Sequence, residues 1–290
     1  MIITVTCNPA IDKTVYENKE VFDIGGKGIN VSKVLKELGV KSLATGFVGK
    51  DNKDLVINDL NSLEIDNHFI EVNGKVRTNT KRIINNNLIE ENEDGPIIKQ
   101  DDIDRLFSYL SSFSNELVII SGSAPSSADK NIYKDMVELL KANNNYVILD
   151  CDKELFRNAV KAKPNVIKPN KDEICKYLNI DYDESKVIEE CKNLGIDLVC
   201  LSLGADGAIF ISDDIYKCNP LKIEYSSAVG AGDAMVAAIA YSKVNNYDME
   251  KTIKLAMATA SAACETEGTK PPKYSSIVRK MNDVIYIKQC

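Results

Sequence analysis

The chain has 290 residues, 44% of them hydrophobic, which is enough to bury the core of one large α/β domain or two small ones, and nothing in the composition signals disorder. Its 43 acidic residues outnumber 36 basic ones for a formal charge of -7, which argues against nucleic-acid or anionic-membrane binding and makes any phosphate site a local one. Eight cysteines are dispersed without a C-x-x-C pair and His68 is the one histidine, a pattern that argues against a structural zinc site and suits buried thiols in a reducing compartment.

The start, Met1-Ile2-Ile3-Thr4-Val5-Thr6, has no basic region and soon reaches Asn8-Pro9, so it predicts a strand over 2–6 rather than a signal peptide. No apolar run approaches the roughly 20 residues that span a membrane, and the expected location is cytoplasmic. Gly25-Gly26-Lys27-Gly28-Ile29-Asn30 opens a predicted helix whose stripe, Val31, Val34, Leu35 and Leu38, is closed by Gly39. It is not a Walker loop, because no Ser or Thr follows Lys27 in Gly28-Ile29 and the Gly-x-x-x-x-Gly-Lys spacing is absent, and it is not a dinucleotide fingerprint.

Further strands are predicted at 43–48, 117–121, 146–150, 166–168 and 198–203, alternating with helical segments such as the stripes Ile132, Met136, Leu139, Leu140 and Ile253, Met257, Ala260, Cys264. Strands separated by helices call for right-handed crossovers and a mostly parallel sheet covered on both faces. Ligands of such sheets sit beyond the carboxyl ends of the strands, and Gly25, Ser121, Lys168 and Ser202 all fall at or just after strand ends. Two stretches fit this alternation poorly: 13–24, and 68–98 with its polar run Asn85-Asn86-Asn87 and acidic run Glu90-Glu91-Asn92-Glu93-Asp94.

Near the C-terminal third, Ser226-Ser227-Ala228-Val229-Gly230-Ala231-Gly232-Asp233 runs into the apolar helical segment 234–240. Such a loop presents the amides of Ala231, Gly232 and Asp233 to an anion and sets a carboxylate beside it, the arrangement needed to take a proton from a nucleophile that attacks phosphate. The competing account of the same residues is a tight turn with Asp233 as a helix N-cap.

Both glycine loops, in this order, resemble the two signatures of the ribokinase-like, or PfkB, carbohydrate kinases. Thr6-Cys7-Asn8-Pro9-Ala10-Ile11-Asp12, the run Gly25 to Gly39 and Arg77-Thr78-Asn79-Thr80-Lys81 look most like its branch of 1-phosphofructokinases and tagatose-6-phosphate kinases. The likeness continues through Ile167-Lys168-Pro169-Asn170-Lys171-Asp172-Glu173 and Ser202-Leu203-Gly204-Ala205-Asp206-Gly207 and so covers nearly the whole chain. It implies a single domain over 1–290, a three-layer α/β/α sandwich around a mostly parallel sheet, with 13–24 and 68–98 inserted as a small β lid that in the family often pairs subunits. Only twelve residues separate Asp12 from Gly25. A strand pair of the lid is therefore expected to be reduced or missing, which counts against a lid-mediated homodimer.

The resemblance also implies roles. Asp233 becomes the base, with the amides of Ala231, Gly232 and Asp233 after Gly230 forming an anion hole; Asp12, Gly25, Gly26 and Asn30 meet sugar hydroxyls. On its own, Asp12 would equally cap the turn after Pro9. Lys27, Arg77 and Lys81 are the cations for a phosphate already on the sugar, with a solvated strand face the competing account for Lys81. Lys168, Asn170, Ser202, Gly204 and Gly207 line ATP, and Glu173 acts on Mg²⁺ through water. Asn170 and Glu173 also satisfy a helix capping box, and Gly204 and Gly207 the turn between predicted strands 198–203 and 207–212. The reaction expected is ATP-dependent phosphorylation of a ketohexose phosphate, fructose 1-phosphate first and tagatose 6-phosphate second. A non-catalytic nucleotide or sugar-phosphate sensor is the reading from another class.

Overall fold

A computed structural model describes the chain except residues 16–18, 85–86, 225 and 290. The chain opens with β1 (Ile2–Thr6), β2 (Ala10–Val15), β3 (Glu20–Gly25), α1 (Lys27–Glu37), β4 (Ser42–Asp51), α2 (Lys53–Ser62) and β5 (Asp66–Lys75). Two more strands, β6 (Arg77–Ile84) and β7 (Asn87–Asn92), precede α3 (Gln100–Leu110), β8 (Leu117–Ser121), α4 (Ile132–Ala142), β9 (Tyr146–Asp150) and α5 (Lys153–Ala159). Then come β10 (Val166–Ile167), α6 (Lys171–Leu178), α7 (Glu184–Asn193), β11 (Leu198–Ser202), β12 (Ala208–Ile211) and β13 (Ile215–Cys218). The chain closes with α8 (Ala231–Val244), α9 (Met249–Ala263), α10 (Tyr274–Met281) and β14 (Tyr286–Gln289).

Ten strands form one sheet in the order β14-β13-β12-β11-β10-β9-β8-β1-β4-β5, parallel from β11 to β5 and antiparallel from β11 to β14. Its central strands are apolar at successive positions because helices cover both faces. In β8, Val118 and Ile120 enter a core shared with α3 to α7, while Leu117 and Ile119 enter the opposite core with α1, α8, α9 and α10. The three-layer sandwich expected from the alternation of strands and helices is thus what forms. Among the described residues no helix is long and apolar enough to cross a membrane, and the seven described cysteines are all free.

A second sheet has the order β3-β2-β6-β7. It corrects the expectation of a missing strand pair, since β2 and β3 pair antiparallel from Ala10↔Gly25 to Val15↔Glu20. Twelve residues suffice because both strands borrow from the flanking motifs: β2 already starts at Ala10 and β3 runs on to Gly25. Residues 16–18, within the expected lid segment, and Asn85 and Asn86, within the polar run, lie outside the described residues. The second lid segment is corrected as well, because residues 68–75 belong to β5, which pairs with β4 at the edge of the large sheet, and only β6 and β7 join the lid. Ile11 and Ile24 root the lid by packing with Ile29 of α1, Ala44 and Val48 of β4, and Val56 and Leu60 of α2.

Candidate active site

In the large sheet β1 lies between β4 and β8, so the chain leaves it toward opposite edges and a crevice opens beyond its carboxyl end. Two helices begin there. α1 starts after Gly26 (φ 119) and α8 after Gly230 (φ 84), and neither N-cap residue supplies a side-chain hydrogen bond. First-turn N–H groups of both helices are thereby left without an intrahelical acceptor, and the first turns of the two helices meet through Asn30 and Asp233.

Asp233 sits in the first turn of α8 and is only 6% exposed. Asn30 Nδ2, from the first turn of α1, donates to Asp233 Oδ2 at 2.8 Å. Gly230 occupies the N-cap position and the carboxylate is held from another helix, so Asp233 is not the N-cap of α8. Burial pushes its pKa up to about 6, with the negative charge of Asp150 adding to the shift and Lys27, Asn30 and Lys168 opposing it.

Asp150, the last residue of β9, is 1% exposed, and Lys27 Nζ and Lys168 Nζ each stand 3.3 Å from its Oδ1. Burial would raise its pKa, but the two ammonium groups outweigh burial and hold it below the usual carboxylate value. Burial correspondingly disfavours the charged form of Lys27, yet Asp150, Asp233 and Glu173 leave its pKa raised. Sequence reading passed over Asp150. Its signal was a carboxylate ending the otherwise apolar strand Tyr146-Val147-Ile148-Leu149-Asp150, where a buried charge requires partners. Lys168, predicted to line nucleotide, is 6% exposed and belongs to this cluster.

Gly232 is the narrow point of the loop. A Cβ there would stand 3.0 Å from Lys168 Nζ, and Lys168 is buried and tied to Asp150, so it has little room to yield. Gly232→Ala is therefore expected to lower kcat by up to about 10²-fold through displacement of the ammonium group, with some loss of Tm because the buried pair with Asp150 is strained. Unaltered turnover in a steady-state assay would contradict that placement.

On the lid side, Asp12 of β2 presses its carboxylate onto the first glycine loop, where a Cβ at Gly25 would come within 2.1 Å of Asp12 Oδ2. Asn79 of β6 donates from Nδ2 to Asp12 Oδ1 at 2.8 Å. Arg77, at the start of β6, donates from Nε to Asn8 O at 3.3 Å, and burial lowers its pKa. It lines a cavity of about 200 Å³ together with Lys27, Thr6, Asn8, Ser121, Gly122, Ser123 and Asp152. Lys81 lies on the same face of β6, as its even spacing from Arg77 predicts, but roughly 13 Å further along the strand, opposite Thr14 and Glu90. The residues lining this cavity do not include it.

At the other end of the crevice both halves of a capping box open α6: Glu173 N donates to Asn170 Oδ1 and Asn170 N to Glu173 Oε2, each at 2.8 Å. Asn170 also bridges Ser202, whose hydroxyl donates to Pro169 O at 3.3 Å. Gly204 opens a single 3-10 turn, Gly204–Asp206, with open space about its Cα. Gly207 has a sufficient structural reason, since φ is 96° and a Cβ would meet Cys218 O of β13 at 2.0 Å. Among the described residues no group of three or more His, Cys, Asp or Glu could hold a metal ion. Glu173 keeps acceptor capacity beyond its bond to Asn170, so its carboxylate could still accept from a water on a metal ion.

Residues 1–275 match the model of the "pfkB family carbohydrate kinase". The chain is 32% identical over 294 aligned residues to a 1-phosphofructokinase of Borreliella burgdorferi, covering 93% of this chain and 95% of that protein. In structure it is similar to a putative phosphofructokinase from Staphylococcus aureus, with a TM-score of 0.89 and 30% identity over 100% of this chain and 99% of the other. A possible 1-phosphofructokinase from Thermotoga maritima gives a TM-score of 0.88 at 25% identity, over 100% of this chain and 99% of that one.

Proposed function

The chain belongs to the pfkB family of carbohydrate kinases, and on that footing we propose that it transfers the γ-phosphoryl group of ATP to the free primary hydroxyl of a ketohexose phosphate, fructose 1-phosphate giving fructose 1,6-bisphosphate. The observation that carries the chemistry is Asp233: a carboxylate buried at a helix start, held by Asn30 and raised to about 6, within a cluster that also holds Lys27 and Lys168. A base near 6 is largely unprotonated at neutral pH yet basic enough to take a proton as the bond to phosphorus forms.

In this reading Asp233 receives the proton of the attacking hydroxyl while the amides of Gly232 and Asp233 face the transferring phosphoryl group; the third expected donor, Ala231 N, is instead turned to Ala228 O at 3.3 Å. Lys168 neutralises charge along its path, and Asp150 holds the ammonium groups of Lys168 and Lys27 in place. Asp12, Gly25, Gly26 and Asn30 align the sugar; Arg77 and Lys27, facing one cavity, hold its phosphate. Asn170, Ser202 and Gly204 run beside the nucleotide. Mg²⁺ carried with ATP would be met by Glu173 through water, where it supplies charge neutralisation between the phosphates.

The substrate assignment is tested by coupled ADP release across a panel of sugars and sugar phosphates. The expected result is the highest kcat/KM with fructose 1-phosphate; preference for tagatose 6-phosphate would reassign the acceptor within the same chemistry. Activity only on unphosphorylated sugars or nucleosides would refute the phosphosugar reading. The sensor reading rested on a reduced lid and loses that support, since β2 and β3 are both formed. Thermal stabilisation by ATP or sugar phosphate with no ADP release would restore it.

A further inference from the structure

We propose that Asn79 is a positioning residue for the acceptor, fixing which oxygen of Asp12 the sugar meets; this rests on the reading of Asp12 as a sugar-binding carboxylate. Asn79 and Asp12 stand directly opposite each other in the parallel β2–β6 ladder, so their side chains share one face of the lid. An ionised carboxylate only accepts hydrogen bonds, so the 2.8 Å contact with Asp12 Oδ1 must be made by the amide nitrogen of Asn79. That orients the amide and ties down Oδ1. The other oxygen, Oδ2, is the one pressed over Gly25 in the first glycine loop.

A second observation separates this from ordinary lid packing. The amide oxygen of Asn79 is buried and has no hydrogen-bond partner. Fold stability alone disfavours an amide with an orphaned oxygen at this position; orientation of Asp12 is what the amide supplies in return. The arrangement also depends on register. A one-residue slip of β6 against β2 would turn Asn79 to the opposite face, so the grip on the acceptor exists only when the lid sheet is paired as observed. Specificity for a hydroxylated acceptor is thereby tied to lid assembly.

The test compares wild type, Asn79→Ala, Asn79→Asp and Asp12→Ala with fructose 1-phosphate and its 3-deoxy and 4-deoxy analogues. Asn79→Ala is expected to raise acceptor KM about tenfold, or 1.4 kcal/mol, with kcat and the KM for ATP nearly unchanged. The penalty should shrink for whichever deoxy analogue lacks the hydroxyl that Asp12 binds. Tm should change little, because the lost bond to Asp12 is offset by removal of the orphaned oxygen. Asn79→Asp, which removes the donor and adds a like charge, should be worse than Ala. An unchanged acceptor KM, an equal rise for every analogue, or a fall in Tm with both KM values disturbed would overturn the proposal. If Asp12→Ala leaves acceptor KM unaltered, the parent reading of Asp12 fails; if it alone raises KM, only the role of Asn79 fails.

Discussion

Asp233→Asn is expected to lower kcat by about two to four orders of magnitude and, at neutral pH, to stabilise the fold. The first effect follows from removing the proposed base while keeping shape, since asparagine can still accept the bond from Asn30 through its oxygen. The second follows from linkage. The folded-state pKa of Asp233 is about 6, above the roughly 3.9 of an unfolded aspartate, so the native state retains a proton that the unfolded chain releases between those values. Stability therefore falls as pH rises from about 4 to about 6, and the deficit persists above. Asparagine removes it, a gain of up to roughly 3 kcal/mol at pH 8 that vanishes near pH 4. Thermal melts at both pH values, beside steady-state kinetics, check the pair of effects. For the wild type, kcat/KM should drop about tenfold per pH unit below about pH 6. Near-normal kcat in the variant would remove Asp233 from the chemistry.

Asp150→Asn carries the other large expectation. Lys27 and Lys168 would lose their shared carboxylate, and breaking a buried pair costs on the order of 3–5 kcal/mol. We expect the low end, because the Lys27 side chain is 39% exposed and water reaches it. The folded pKa of Asp150 is depressed, so its contribution is complete above the unfolded value near 4 and is lost as pH falls through the folded one. The penalty in Tm should therefore be full at pH 7 and shrink below about pH 4. Kinetics should change in a way that loss of stability alone would not produce. Asp150 helps to raise the pKa of Asp233, while Lys27 and Lys168 lower it. Without Asp150 both act in one direction, and the acidic limb of kcat/KM moves to lower pH. A limb that stays near 6 while kcat falls would mean that Asp150 does not act on Asp233.

Several features of the site were legible as local patterns. Gly25 to Asn30 and Gly230 to Asp233 announce glycine-opened helix starts, and the carboxyl ends of β8, β10 and β11 fall where hydrophobic runs stop at Ser121, Lys168 and Ser202. Asp150 and Asn79 were not legible in that way. Nothing beside Asp150 in the chain shows that Lys27, 123 residues earlier, and Lys168 will meet it. Nor does spacing show that Asn79 faces Asp12 across 67 residues. The lid misled for a related reason: the count between Asp12 and Gly25 treated the motifs as loop, whereas the strands run through them.

The sequence by itself determined the three-layer class and the order of its strands and helices, because hydrophobic period and glycine-opened helix starts act over a few residues. Tertiary structure alone decided that Gly207 answers to the backbone of β13, and that the Asp233 carboxylate is buried against Asn30 of another helix rather than capping its own. Those outcomes depend on which charges and backbones burial brings together, and an electrostatic environment is a property of distances in space rather than of separations along the chain.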